Sequence, residues 1–295
     1  MDVPFASRRS ISVALLGFCL SATVETAVRA ERLARPIAAV EASGSTKEPL
    51  ECEKRGSWYI ARTTNFFVCS DQSHEQAVEM GRTAEAVRNE IRRRWLDEFD
   101  DQPWSPRCHL VLHRTWQGYV SAAGRGSEAT VGSSLVTVED GCITGRRIDL
   151  LCGGRSPSSS TLPHELTHVV LRERFVVAGV PRWADEGAAV LADSLDKRSL
   201  HRADLESAFT RRATFHAAEL LIADGYPPAE RWGTFYGQSA SLVEFLIERR
   251  TPARFVEFLQ QADAEGYDAA LERCYDIADV DELDRLWRHH AAAAN

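Results

Sequence analysis

His164, Glu165 and His168 form a His-Glu-x-x-His motif, whose residue types and spacing suit a metal ion held beside a general base. Residues four apart on an α-helix project to nearly the same side, so both imidazoles can share one ion. Zinc bound by neutral imidazoles lowers the pKa of water toward about 7, and an adjacent carboxylate can accept the proton during attack on a carbonyl. The motif therefore predicts a zinc site with Glu165 as general base, and this chemistry suits peptide-bond hydrolysis.

Two histidines leave a zinc site one protein ligand short, and a third must come from elsewhere in the chain. Metzincins carry Gly and His three and six positions after the second motif histidine, but this chain has Leu171 and Arg174 there, so that class is excluded. A glutamate on a following helix is the other solution. Glu186 lies 18 positions after His168, beyond a turn that contains Gly and Pro. We therefore predict that His164, His168 and Glu186 bind one zinc ion per chain.

Two segments around these ligands resemble a known family. Residues 162–168 are similar to the first zinc helix of gluzincin metallopeptidases, and residues 183–188 resemble their Trp-x-x-Glu-Gly segment. The closest resemblance is to the exported peptidase MA-like proteins, and it extends to residues 235–243. The resemblance implies a zincin-like fold and a zinc metallopeptidase.

The resemblance also implies individual roles. Glu165 would act first as base and then as acid, while Tyr236 would donate a hydrogen bond to the oxyanion. A packing role for Tyr236 at the start of a helix fits its position equally well. The motif spacing is one residue shorter than in the aminopeptidases of this group, and no Gly-x-Met-Glu-Asn-like segment is present. We therefore expect an endopeptidase.

The motif assigns no role to three other polar residues, Asp193, His109 and His113. Asp193 follows Glu186 by seven positions on the same helical face, where it could orient a zinc-binding histidine or be an exposed carboxylate. His109 and His113 alternate with Leu110 and Leu112, which indicates a polar face of a strand.

The remaining elements predict an α+β fold. An N-terminal mixed or antiparallel sheet with a long helix precedes the motif helix, and a mostly helical part follows it. We assign residues 51–200 to the catalytic part and residues 201–295 to the helical part. The predicted strands are 57–62, 65–69, 109–113, 130–138 and 143–151. Besides the motif helix, the predicted helices are 73–99, 115–123, one that starts over 182–191, 197–210, 214–223, 235–250, 252–264, 267–275 and 280–290.

The N-terminal region and the overall charge indicate where the chain acts. Residues 1–30 have the arginines, the short apolar segment and the small residues of an export signal, and residues 31–50 read as a flexible leader. Residues 7–10 faintly resemble a twin-arginine signal, and Cys19 could indicate a lipoprotein, but plain secretion fits better. The net charge of −8 argues against nucleic-acid or anionic-membrane partners. No later apolar run is long enough to span a membrane.

Six of the seven cysteines follow the signal, and an even number in an exported chain suggests disulfides. Short loops flanked by strand-like residues favour local disulfides, so we predict the pairs Cys52–Cys69 and Cys142–Cys152. The pair Cys108–Cys274 then follows by elimination. Buried free thiols are the alternative.

An exported, zinc-dependent peptidase acting on a peptide or protein substrate is the leading hypothesis. A noncatalytic binding or scaffold protein that keeps the fold is the first alternative. Hydrolysis of a non-peptide amide is the second, because the same zinc chemistry serves it. The substrate sequence and the oligomeric state depend on surface shape, which motif spacing does not encode.

Overall fold

A mixed sheet forms one side of the ligand-bearing part of the molecule. The computed structural model describes residue 37 and residues 50–98, 102–153 and 161–293. Within these residues the sheet has six strands in the order β1-β2-β3-β4-β6-β5. The strands are β1 (Cys52–Arg55), β2 (Trp58–Arg62), β3 (Phe66–Ser70), β4 (Cys108–His113), β5 (Gly132–Glu139) and β6 (Cys142–Leu151). The pairs β3–β4 and β4–β6 are parallel, and the other pairs are antiparallel.

All five predicted strands are confirmed, and β1 is an additional one. Its residues Cys-Glu-Lys-Arg have neither the alternation nor the β-branched content that identified the others. A two-residue turn joins β1 to β2, and Gly56 has a positive φ of 60° there. Such a φ favours glycine because a Cβ would clash with the backbone.

The helices follow the predicted order closely. They are α1 (His74–Leu96), α2 (Trp116–Ala123), α3 (Thr161–Leu171), α4 (Arg182–Ala192), α5 (Leu195–Thr210), α6 (Ala217–Leu221), α7 (Trp232–Arg249), α8 (Pro252–Glu265), α9 (Tyr267–Tyr275) and α10 (Val280–Ala293). Ser73 caps the long helix, because its side chain accepts a hydrogen bond from the Gln76 backbone N–H. The α+β class is therefore confirmed.

Helices α1 and α3 cover the same face of the sheet. Helix α1 packs on β2 and β3, α3 packs on β5 and β6, and the two helices contact each other. Leu110, Ile148 and Leu150 are fully buried between these layers. This core holds the motif helix rigidly against the edge of the sheet that ends in β5.

Helix α4 follows α3 after a short connection and packs against both α3 and α7. Gly187 makes the second contact possible. A Cβ at this position would lie 2.5 Å from the Ser239 backbone oxygen of α7. The close approach fixes α4, and with it Glu186, between α3 and α7.

The predicted disulfide pairs are wrong, since all six cysteines after residue 50 are free. Cys52 and Cys69 lie on β1 and β3, and β2 separates them by about 10 Å, which exceeds the reach of a disulfide. Cys142 begins β6 and Cys152 follows its end, so an extended strand of about 30 Å separates them. Cys108 and Cys274 are both buried free thiols. In both predicted local pairs the residues between the two cysteines form extended strands instead of a compact loop, so closeness in sequence did not bring the two sulfur atoms together.

The predicted signal at residues 1–30 and most of the predicted leader lie outside the described residues. Ile37 is described, and its side chain is 1% exposed. No helix in the described ranges combines the length and the apolar character needed to cross a bilayer.

Candidate metal centre

The motif residues lie on α3, which begins at Thr161 and carries Pro163 in its first turn. Proline suits this position because the missing N–H would have no helical partner. Leu166, Val169 and Val170 are fully buried against the sheet and α1. Because residues four apart share a helix face, His164 and His168 project together into a cavity on the other side.

His164, His168 and Glu186 come together as a three-residue cluster. Their potential ligand atoms all lie within 4.8 Å of one another. Glu186 Oε2 is 3.7 Å from His164 Nε2 and 3.8 Å from His168 Nε2. The side chains of the two histidines are 13% and 15% exposed, and that of Glu186 is 3% exposed. This group could hold a metal ion.

Two further carboxylates orient the imidazoles from behind. Asp193 is fully buried, and its Oδ2 is 3.2 Å from His164 Nδ1. Asp185 Oδ1 is 2.8 Å from His168 Nδ1. A carboxylate beside Nδ1 favours the proton on that nitrogen, which leaves the Nε2 lone pair of each ring directed toward Glu186. Both rings are therefore arranged to bind a cation through Nε2.

The cluster also has the electrostatics of a cation site. Burial lowers the pKa of His168, but Asp185 and Glu186 outweigh it and raise this pKa to about 10. A field that holds a proton so firmly attracts any cation at the same place, and a metal ion would replace that proton. The donor set of two imidazoles and one carboxylate thus fits a divalent metal.

Glu165 lines the same cavity next to the cluster. It is 7% exposed and lies against the first residue of β5. A Cβ added at Gly132 would be 2.6 Å from Glu165 Oε1 and 2.4 Å from Thr161 Cγ2. Only glycine leaves room for the Glu165 carboxylate in its observed position.

Two tyrosines stand across the cavity from α3. Tyr236, near the start of α7, lines the cavity, and its ring centroid is 6.2 Å from that of Tyr226. The Tyr226 hydroxyl donates a hydrogen bond to Glu186 Oε1. Burial is the main cause that raises the pKa of both hydroxyls above the ordinary value, and the nearby Glu186 adds to it. Both tyrosines therefore remain neutral hydrogen-bond donors near pH 7.

The cavity has a volume of about 600 Å³, which is within the range of ligand-binding clefts. One wall consists of the start of β5 and the residues before it, including Val131, Ser133 and Ser134. Because β5 is the last of the six described strands in the sheet order, one side of it has no neighbouring strand within the described part of the chain. The ligand cluster therefore lies beside an open sheet edge.

All five predicted site residues line this one cavity, namely His164, Glu165, His168, Glu186 and Tyr236. Of the two possibilities for Asp193, the buried contact with His164 is the one observed. Sequence reasoning missed Asp185 and Tyr226. Asp185 directly precedes Glu186, and this adjacency was an available signal, whereas Tyr226 lies in a loop that no motif marks.

Comparison with known proteins adds no further assignment. No protein-family model matches the chain. A search of curated proteins also gives no significant match.

Proposed function

We propose that the protein is a zinc-dependent peptidase of the gluzincin type. The observation that supports this most directly is the convergence of His164, His168 and Glu186 within 4.8 Å, with Glu165 in the same cavity. Three protein ligands leave one coordination position open, which is the arrangement of catalytic rather than structural zinc sites.

The donor types favour zinc over magnesium and calcium. Imidazole nitrogen suits zinc, whereas magnesium and calcium prefer sites made of oxygen ligands alone. Asp193 strengthens His164 as a ligand by accepting its Nδ1 proton, and the carboxylate of Asp185 places negative charge 2.8 Å from His168 Nδ1. When bound, zinc would polarise a carbonyl group and make water a better nucleophile.

Glu165 would supply the proton transfer. Its carboxylate would accept a proton from the attacking water and then donate it to the leaving nitrogen. The close fit against Gly132 holds this carboxylate in one place, and pre-organisation of that kind is a large part of catalysis.

A tyrosine would stabilise the negative charge that develops on the carbonyl oxygen. Tyr236 is the better donor, because the Tyr226 hydroxyl is already engaged by Glu186. Tyr226 would instead hold Glu186 in its ligating orientation. The raised pKa of Tyr236 keeps its proton available for donation.

The open edge of β5 favours a peptide as substrate. An extended peptide can pair with an unpaired strand edge through main-chain hydrogen bonds, while its side chains enter neighbouring pockets. The cavity volume of about 600 Å³ accommodates a few residues. A small non-peptide amide would leave most of this edge unused.

Cleavage of a diverse peptide library by the purified full chain tests the proposal. We expect cleavage that a chelator abolishes and that added zinc restores, with about one zinc per chain at full activity. Cleavage that persists after complete removal of the metal would refute the zinc mechanism. Zinc binding without cleavage of any peptide would favour the scaffold or non-peptide alternative.

Substitution of Gly132 by Ala tests the placement of Glu165. The added Cβ would overlap Glu165 Oε1 and Thr161 Cγ2, so the carboxylate must move. A displacement of about 1 Å at the reacting group lowers the rate by roughly a hundredfold. We expect kcat to fall by about that factor while zinc content is retained.

Gly153 provides a matched control, since a Cβ there meets no atom of the described residues within 4 Å and its φ lies outside the range from +20° to +160°. Gly153→Ala should keep wild-type kcat. Equal activity of Gly132→Ala and wild type would contradict the role of this contact.

A further inference from the structure

The cavity is lined by positive side chains as well as by the carboxylates of the metal centre. The arginine and lysine residues that line it are Arg125, Arg172, Arg182 and Lys197. Lys197 Nζ is 3.0 Å from Asp193 Oδ1, and Arg182 Nη1 is 3.8 Å from Glu186 Oε1. These two cations are therefore paired with carboxylates around the histidines.

Arg172 differs from them. It forms no ion pair with any described Asp or Glu, and its Nη1 is shielded from solvent without a hydrogen-bond partner in the described part of the chain. A guanidinium N–H that has lost water and gained no acceptor is costly, and an acceptor supplied by a ligand would remove that cost.

The position of Arg172 places it beside the reacting groups. Its backbone N–H donates to the His168 carbonyl oxygen at 3.1 Å, which puts it one helical turn beyond the second histidine. Residues 164, 168 and 172 thus share one face of the motif helix and its extension. A substrate lying along the cavity past His168 would meet the Arg172 side chain.

Arg125 also lacks an ion pair among the described residues, but its side chain is exposed. Water satisfies an exposed guanidinium, so a ligand gains little by replacing that water. Arg172 is the better anion-binding group.

We propose that Arg172 binds a carboxylate of the substrate, so that the protein selects peptides with an acidic group close to the cleaved bond. This inference rests on the peptidase function proposed above. A guanidinium binds a carboxylate with two parallel hydrogen bonds, which gives both charge and geometric selectivity. The carboxylate is either an Asp or Glu side chain or the free C-terminus of the peptide.

The test compares two pools of fluorescent decapeptides that differ by Glu or Gln at the varied positions, each with a free or an amidated C-terminus. We expect kcat/KM for the Glu pool to exceed that for the Gln pool by at least about tenfold, as one charged hydrogen bond implies. Arg172→Gln should reduce this preference to about one. Preference for Glu in amidated peptides would identify the side chain, and preference for the free acid alone would identify the C-terminus.

Arg174→Gln is the control. Arg174 is two residues away and pairs with Glu98 outside the cavity, so its loss should leave the preference for Glu unchanged. Zinc content and thermal midpoint of each variant report whether the fold is retained. Equal rates for the Glu and Gln pools together with equal rates for free-acid and amidated peptides, or a preference that survives in Arg172→Gln, would overturn the assignment.

Binding of the same pools to the zinc-loaded protein by fluorescence anisotropy separates this inference from the peptidase function. Tighter binding of the Glu pool that disappears in Arg172→Gln would support the carboxylate site even if no peptide were cleaved. Equal binding of the Glu and Gln pools, with no difference between free-acid and amidated peptides, would overturn it whatever the activity.

Discussion

Replacement of Glu165 by Gln is expected to lower kcat for peptide hydrolysis by about a thousandfold and to leave the bound metal in place. A reduction of this size is typical when an enzyme loses its general base. The amide has nearly the shape of the carboxylate but cannot accept a proton at neutral pH. Glu165 is outside the three-residue ligand cluster, so the metal should be retained. Parallel measurement of kcat and of metal content by atomic absorption checks both parts.

Glu272→Gln is the matched control, because Glu272 is exposed on α9 and lies outside the cavity. It should retain wild-type kcat and metal content. Substantial hydrolysis by Glu165→Gln would exclude Glu165 as the base. Loss of metal from this variant would instead show that the carboxylate contributes to binding.

The second large effect concerns metal affinity. Glu186→Ala removes the only carboxylate of the cluster, whereas Asp193→Ala removes a group that contacts His164 from behind. Loss of such a supporting contact typically lowers metal affinity by about 10- to 100-fold. We expect Glu186→Ala to weaken binding well beyond that range. Competition with a chromogenic chelator measures both dissociation constants.

Glu186→Gln guards against misfolding as the explanation, because it keeps the buried shape and the contact with Tyr226 while removing the charge. Circular dichroism of each variant reports folding. Equal and undiminished metal binding in Glu186→Ala and Asp193→Ala would remove Glu186 from the ligand set.

The elements that position the centre could be predicted because their signals are local. The motif helix combines two polar residues four apart with buried apolar neighbours, and α4 begins just after a Gly and Pro turn. Glu186 followed from counting ligands and ruling out the metzincin spacing. Each of these inferences needed only one or two neighbouring segments of chain.

The unpredicted parts depend on contacts between distant segments. His113 Nε2 is 2.6 Å from Asp149 Oδ1, and both side chains are buried. The alternation in β4 predicted the face on which His113 lies, but its partner depends on the parallel register of β4 and β6. Tyr226 reaches Glu186 from a loop in the same way. Sequence periodicity does not predict side-chain contacts of this kind between distant segments.

The ligands of the centre come from two helices, with His164 and His168 on α3 and Glu186 on α4. An ion held by all three would join these helices, and the unfolded chain could not offer the same arrangement. Binding to the folded form alone adds about 2.7 kcal/mol to the free energy of unfolding when free metal exceeds Kd a hundredfold. The stability of the folded chain would thus depend on the concentration of free metal around it. Depletion of the metal would promote unfolding as well as abolish hydrolysis.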